Sequence, residues 1–211
     1  MHLFPYILQT LIWIPTRFVL WLFGSFRIDG IENLRNLDRS HGVIVMSNHT
    51  SILDPILLAA ALPPGSGLRP LFYVSLPPEH YAHLKMRYIA GGLIFKLWGA
   101  YPVYRGATTY EEIFKEHIEL LRNKKTVSIF PEGGITKTGG LGDAKPGVAR
   151  LAEITGALIV PIHIRGAWKI SWHEFLLHKR FLTLTVGEPI RPSIYSHADL
   201  FSHIEHLSRG V

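Results

Sequence analysis

Residues 42–55 read GVIVMSNHTSILDP, an apolar β-branched run that passes through a polar stretch into an Asp-Pro step. Gly42 to Met46 has the character of a buried strand. Proline is favoured at the first helical position, and Asp is a good cap, so Pro55 predicts the start of a helix. Between strand and helix lie His49 and Asp54. On a straight helix a five-residue step rotates about 140°, so the two side chains would face apart. A turn between them is needed for contact. His49 then sits at the carboxyl end of a strand, where open α/β sheets hold their ligands. An Asp beside it would fix its tautomer and stabilise its protonated form, which makes a general base. Spacing alone leaves a second reading open, with Asp54 a plain helix cap and His49 a loop residue.

The same alternation continues on either side. Strands are predicted at Ser25 to Asp29, Leu71 to Ser75, Thr126 to Phe130, Leu158 to Ile164 and Leu182 to Val186. Helices are predicted from Pro55 to Leu62, Glu79 to Lys96, Lys145 to Thr155 (ending at Gly156) and His197 to Leu207. Ala107 to Arg122 is the clearest amphipathic helix. Strands alternating with helices imply an α/β fold with a mainly parallel, twisted sheet and helices on both faces. The chain has 211 residues, enough for one full-sized core. No repeat or low-complexity linker interrupts it.

Hydrophobic residues make up 47% and charged residues 18% of the chain, with a formal net charge of +6. Such a basic balance attracts nucleic acid, anionic lipid or acidic proteins without choosing among them. The basic residues are scattered, and no RNP signature, zinc-finger spacing or basic helix occurs, so nucleic acid is not expected as a partner. The absence of cysteine excludes disulfides and thiolate metal sites.

Leu3 to Phe26, LFPYILQTLIWIPTRFVLWLFGSF, carries a single formal charge, Arg17. Its length exceeds the roughly 20 apolar residues that cross a bilayer. Pro15 and Arg17 in mid-segment favour two short helices broken near Pro15 and lying in one leaflet over one spanning helix. Trp13 and Trp21 suit the headgroup level. With no basic start and no small-x-small cleavage site, a signal peptide is disfavoured. The expected organisation is a membrane-attachment segment, residues 1–26, followed by one domain, residues 27–211.

Three further segments collect polar chemistry. GAYPVYRG, residues 99–106, places Arg105 beside a glycine, where a guanidinium can reach an anion. FPEGGITKTGG, residues 130–140, is a glycine-rich loop after a strand that carries Glu132, Gly133, Gly134 and Lys137. It lacks the Gly-Lys-Ser/Thr of a Walker loop, yet its backbone N–H groups can face a phosphate. VPIHI, residues 160–164, sets proline in a strand, which is tolerated mainly at edges and bulges.

In order and spacing, these segments resemble the four blocks of the glycerolipid acyltransferases, the 1-acyl-glycerol-3-phosphate acyltransferase type. Asn48, His49 and Asp54 match the N-H-x-x-x-x-D block; Gly99 and Arg105 match the second; Phe130, Pro131, Glu132 and Gly133 match F-P-E-G; Val160, Pro161 and Ile162 match the fourth. The likeness covers residues 25–192 and includes Lys145, Gly147 and VGEPI at 186–190. One departure stands out. The family commonly continues F-P-E-G-T-R-S, whereas Ile135 occupies the arginine's place here. In this loop the chain is more similar to the acyltransferase part of 2-acylglycerophosphoethanolamine acyltransferase.

The resemblance implies transfer of a fatty acyl group from acyl-CoA or acyl-acyl carrier protein to the hydroxyl of a lysophospholipid, without metal or cofactor. It implies His49 and Asp54 as catalytic residues. Asn48, Ser51, Arg105, Glu132, Gly133, Gly134 and Lys137 become substrate-binding candidates, with Glu132 slightly favoured as a loop organiser. It further implies membrane lipids as partners and a site on the cytoplasmic face, of the inner membrane in a bacterium. The alternatives are phosphatidate synthesis from 1-acyl-glycerol-3-phosphate and a lipid esterase or thioesterase using Ser47 or Ser51. The esterase lacks a Gly-x-Ser-x-Gly elbow. A zinc site at HEFLLH, residues 173–178, fails because its histidines stand five apart rather than four.

Overall fold

The computed structural model describes residues 3–23, 25–81, 93–104, 106–191 and 197–209. In chain order its helices are α1 Leu3–Phe23, α2 Asp54–Ala61, α3 Leu93–Trp98, α4 Tyr110–Ile113, α5 Lys115–Arg122, α6 Gly147–Thr155, α7 Trp172–Leu176 and α8 His197–Arg209. The strands are β1 Phe26–Asp29, β2 Val43–Ser47, β3 Leu71–Ser75, β4 Ala100–Pro102, β5 Thr126–Ile129, β6 Leu158–Arg165 and β7 Leu182–Val186. They form one sheet in the order β1-β7-β6-β2-β5-β3-β4. Every pairing is parallel except β6 with β7. The fold is the mainly parallel α/β architecture expected from the sequence.

β2 lies between β5 and β6 with all five residues buried. The pleat sends alternate side chains to opposite faces. Val43 and Val45 join the core under α1 and α2, with Leu20, Leu57 and Leu58. Ile44 and Met46 join the opposite core with Ile118 of α5, Leu151 of α6 and Ile204 of α8. This two-sided demand explains why β2 reads as an unbroken apolar run. The chain passes from β2 to β3, returns through β5 beside β2, and then crosses to β6 on its other flank. The order therefore reverses around β2, which opens a crevice at its carboxyl end.

Pro161 lies within a central strand, at a bulge. Between the pairs Ile162–Val186 and Ile159–Ile190, β6 advances three residues while the facing chain advances four. Ile159 exchanges both backbone bonds with Ile190, so Pro161, two residues on, turns its N atom toward the same bulged side.

Several elements depart from the sequence reading. α1 is one continuous helix containing Pro15, not two short ones. It is anchored to the body on both sides of the proline. Gln9 donates to the carbonyls of Leu71 and Trp98 and accepts from Leu71 N–H. Trp13 donates to Ala60, and Arg17 lies over the rings of Trp13 and Phe26. These contacts fix one axis against the cost of an internal proline, about 3 kcal/mol. The amphipathic helix expected over 107–122 divides at Phe114 into α4 and α5. There the Ile113 carbonyl accepts from Tyr104 N–H. Of the helix expected over 79–96, residues 82–92 lie outside the described residues; the flanks are a 3₁₀ turn at Pro78–Tyr81 and α3. β4 and α7 were not anticipated. α7 carries a capping box, with Ser171 and Glu174 each bonding the other's backbone N–H.

His117 of α5 is fully buried, edge-on to Phe114. Burial pushes its pKa down to about 4, and the carbonyls of Tyr101 and Tyr73 oppose the shift only in part. The folded chain holds this ring neutral, whereas the unfolded chain protonates it near pH ~6.5. Its contribution to stability is therefore complete above that pH and is lost as pH falls toward the folded value. His117→Leu is expected to flatten the loss of stability across this interval, read from urea midpoints at a series of pH values.

Candidate active site

The turn after β2 wraps around one carboxylate. Asp54 is completely buried, and its Oδ2 accepts from His49 Nδ1 at 2.9 Å, Thr50 N–H at 2.6 Å and Ser51 N–H at 2.8 Å. Thr50 Oγ1 donates to Oδ1 at 3.3 Å. Asp54 is not the cap of α2; Leu53 holds that position, and the carboxylate faces back into the preceding turn. The turn thus brings together two side chains that a straight helix would separate. A carboxylate only accepts, so Nδ1 carries the proton and Nε2 is left as the basic nitrogen. The ring stacks on Phe130 with centroids 4.1 Å apart, and the side chain keeps 17% of its exposure.

The loop after β5 grips the same residue by its backbone. Glu132 Oε1 accepts from His49 N–H at 2.8 Å, and Oε2 accepts from Gly142 N–H at 2.9 Å. Thr136 N–H donates to the His49 carbonyl at 2.8 Å. Glu132 thereby ties the turn after β2 to the far end of its own loop. Gly133 has φ +71°, and a Cβ there would stand 2.6 Å from Lys145 Nζ. Gly134 and Lys137 are exposed, with open space where a Gly134 Cβ would be. Ile135 is also exposed.

Asn48 faces away from the crevice. Its Nδ2 donates to the Ile164 carbonyl and its Oδ1 accepts from Ile164 N–H, at 2.9 and 2.7 Å, and the residue is buried. This clasp to β6 engages both polar atoms of the amide and positions the turn. Ser51 Oγ accepts from Leu53 N–H, and Ser47 Oγ donates to the Asn48 carbonyl. Neither serine is bonded to His49, whose Nδ1 is committed to Asp54. Arg105 lies outside the described residues. His173 lies in α7 and His178 just after it, both exposed, and among the described residues no three His, Asp or Glu side chains gather as a metal set.

One flank of the site escaped sequence reading. A cavity of about 270 Å³ borders Thr50 and Gly139 and is lined by His163, Arg165 and Trp168. Burial, with the charge of Arg165, lowers the pKa of His163. The signal was HIR, immediately after the Val-Pro-Ile block. A larger cavity, about 600 Å³, runs along β4 between Leu93 and Glu116, and includes no residue of the turn or the loop.

The acyltransferase family model matches residues 25–165, which hold His49, Asp54 and Glu132, and the chain belongs to that family. It is 30% identical to a glycerol-3-phosphate acyltransferase of Shewanella woodyi over 150 residues, 66% of this chain and 18% of that protein. It is 28% identical to the chloroplastic 1-acyl-sn-glycerol-3-phosphate acyltransferase LPAT1 of Arabidopsis thaliana over 177 residues, 82% of this chain and 46% of that one. The chain thus spans under a fifth of the bacterial relative's length and under half of the plant relative's. Its fold is similar to that of the 1-acyl-sn-glycerophosphate acyltransferase PlsC of Thermotoga maritima. That likeness has a TM-score of 0.64 and 21% identity, covering 96% of this chain and 80% of that one.

The straps make a separable prediction. Glu132→Ala leaves two backbone N–H groups without their acceptor and is expected to cost about 1 to 3 kcal/mol in urea unfolding. Glu132→Gln, which keeps one carbonyl acceptor, is expected to fall between the wild type and the alanine variant.

Proposed function

We propose that this chain is an O-acyltransferase that moves a fatty acyl group from an acyl thioester to the free hydroxyl of a lysophospholipid at a membrane surface. The observation that carries this reading is the His49–Asp54 pair, with Nδ1 fixed by a buried carboxylate and Nε2 left basic. A lysolipid hydroxyl is a weak nucleophile near neutral pH, and a positioned base must take its proton as the oxygen attacks the thioester carbonyl. Nε2 of His49 takes that proton. Asp54 stabilises the imidazolium, the tetrahedral intermediate expels the thiolate as the C–S bond breaks, and His49 returns the proton to sulfur. Asn48 and Glu132 act as positioning residues through the backbone of the turn.

Acyl-CoA and acyl-acyl carrier protein are the donors this chemistry calls for. Both are acidic, which suits a chain of formal charge +6. Both are cytoplasmic, so the site would face that side of the membrane, attached through α1. That helix is long and apolar enough to cross a bilayer. The exposed glycines of the 130–140 loop, with Lys137 and Arg105, are the groups assigned to the acceptor's phosphate.

The acceptor is read as a lysophospholipid diester. Ile135 stands where the family often carries arginine, and an absent guanidinium penalises the more highly charged phosphomonoester. The printed names of the plant relative and the Thermotoga neighbour favour the second reading, 1-acyl-glycerol-3-phosphate as acceptor. The esterase reading is disfavoured by the hydrogen bonds of Ser47 and Ser51.

His49→Ala and Asp54→Ala are each expected to lower transfer by about 10²- to 10⁴-fold while the protein stays folded. Thiol release from the donor in the presence of lysolipid is the measurement, and near-normal turnover by His49→Ala would sink the mechanism. Ile135→Arg is expected to shift acceptor preference toward lysophosphatidate by about 1.5 to 3 kcal/mol, read as a ratio of kcat/KM values. A wild-type protein that strongly prefers lysophosphatidate over every diester would overturn the diester reading and leave the acyltransferase reading intact.

A further inference from the structure

α7 and the chain that follows it expose an unusual amount of apolar surface for so short a segment. Trp172 is 79% exposed and Phe181 69%, with Leu177 at 54% and Leu176 at 47%. Single exposed apolar residues need no explanation, but a group of four within ten positions does. The segment is also well built. The capping box of Ser171 and Glu174 starts the helix, and Arg180 bonds both the Glu174 carboxylate and the Trp168 carbonyl. The apolar side chains are therefore held outward by ordered structure.

Two features say what covers them. The first is continuity with α1. Phe175 packs on the core beneath α1, with its ring 6.3 Å from Phe23 at the helix end and 6.2 Å from Trp172. Ser25 and His178 bond across the same junction. The outward stripe of α1 ends here in Phe18 and Trp21, both exposed. The second is charge: Lys169, Lys179 and Arg180 accompany the patch against the single carboxylate Glu174. Aromatic and aliphatic side chains beside basic ones are the composition of an anionic-lipid interface.

The position of α7 gives the patch a purpose. It follows β6, so it stands at the same edge of the sheet as the turn after β2, where Ile52, Leu53 and Ile56 are also exposed beside His49. We infer that residues 172–181 form a second membrane-contacting element, which with α1 and the Ile52 turn seats the His49 crevice on the lipid surface. The inference rests on the proposed membrane-borne acceptor.

The chain has no cysteine, so a single introduced cysteine can be labelled uniquely. Leu177→Cys, Leu11→Cys on α1 and Glu153→Cys on α6 are to carry an environment-sensitive dye on the full chain. Each is mixed with phosphatidylethanolamine–phosphatidylglycerol vesicles, with and without nitroxide-bearing lipid. Emission at 177 and at 11 is expected to rise roughly threefold or more on lipid and to be quenched by the nitroxide, while 153 stays aqueous. Quenching at 11 but not at 177 overturns the second contact and leaves attachment through α1 standing. Quenching at neither defeats both. A label at 177 that is already in apolar surroundings before lipid is added would assign the patch to a second copy of the chain, and would also overturn the inference.

Discussion

The carboxylate of Asp54 is the point on which the site depends. It is fully buried at the first turn of α2, and a buried carboxylate without partners would cost several kcal/mol. The chain answers with a ring N–H, two backbone N–H groups and a hydroxyl, all drawn from residues 49–51. Satisfying that charge forces the chain to curl back between β2 and α2. The same curl places His49 with Nδ1 occupied and selects its tautomer. The local fold and the chemistry are thus consequences of one electrostatic requirement. The positive end of the α2 dipole adds to it in the same direction.

A general base is useful only if it is held still, since small misplacements are costly to proton transfer and attack. His49 is restrained by groups from separate parts of the chain. Asp54 holds Nδ1, Phe130 packs one ring face, Glu132 accepts from its N–H and Thr136 donates to its carbonyl. Asn48, next to it, is clasped to β6 through Ile164. β2, β5 and β6 are adjacent in the sheet, so all these restraints converge at the carboxyl end of one central strand. The apolar pairing of β2 on both faces keeps that end rigid.

What the sequence disclosed follows the range of the forces involved. The strands of the sheet centre were legible because burial on both faces demands unbroken apolar runs, as in VIVM of β2 and LIV of β6. His49 with Asp54 was legible because their bond is local. The clasp of Asn48 was not legible because its partner, Ile164, lies 116 residues away. The same holds for α1: the Gln9 bonds that keep it straight reach Leu71 and Trp98. The break at Phe114 depends on Tyr104, which no helical periodicity reveals. α7 is the contrasting case. Its capping box is local and present in the sequence as Ser171 and Glu174, overlapping the histidine-bearing HEFLLH.

The polarity of α1 is inverted relative to a surface helix bathed in water. Such a helix turns its apolar stripe to the core and its polar side outward. In α1 the polar groups turn inward: Gln9 is buried and bonded to β3, Trp13 donates to Ala60 of α2, and Arg17 shelters against Trp13 and Phe26. The outward residues are Leu3, Ile7, Leu11, Ile14, Phe18 and Trp21, spaced by three and four so that they form one stripe. In water this arrangement exposes a costly apolar face, whereas against lipid that face is favourable, and the inward bonds satisfy Gln9 and Trp13. The inversion also accounts for Arg17, which opposes a helix in lipid only if it faces the lipid. Arg17 is drawn toward the protein. The helix therefore keeps its one charge away from the surface that its apolar stripe presents.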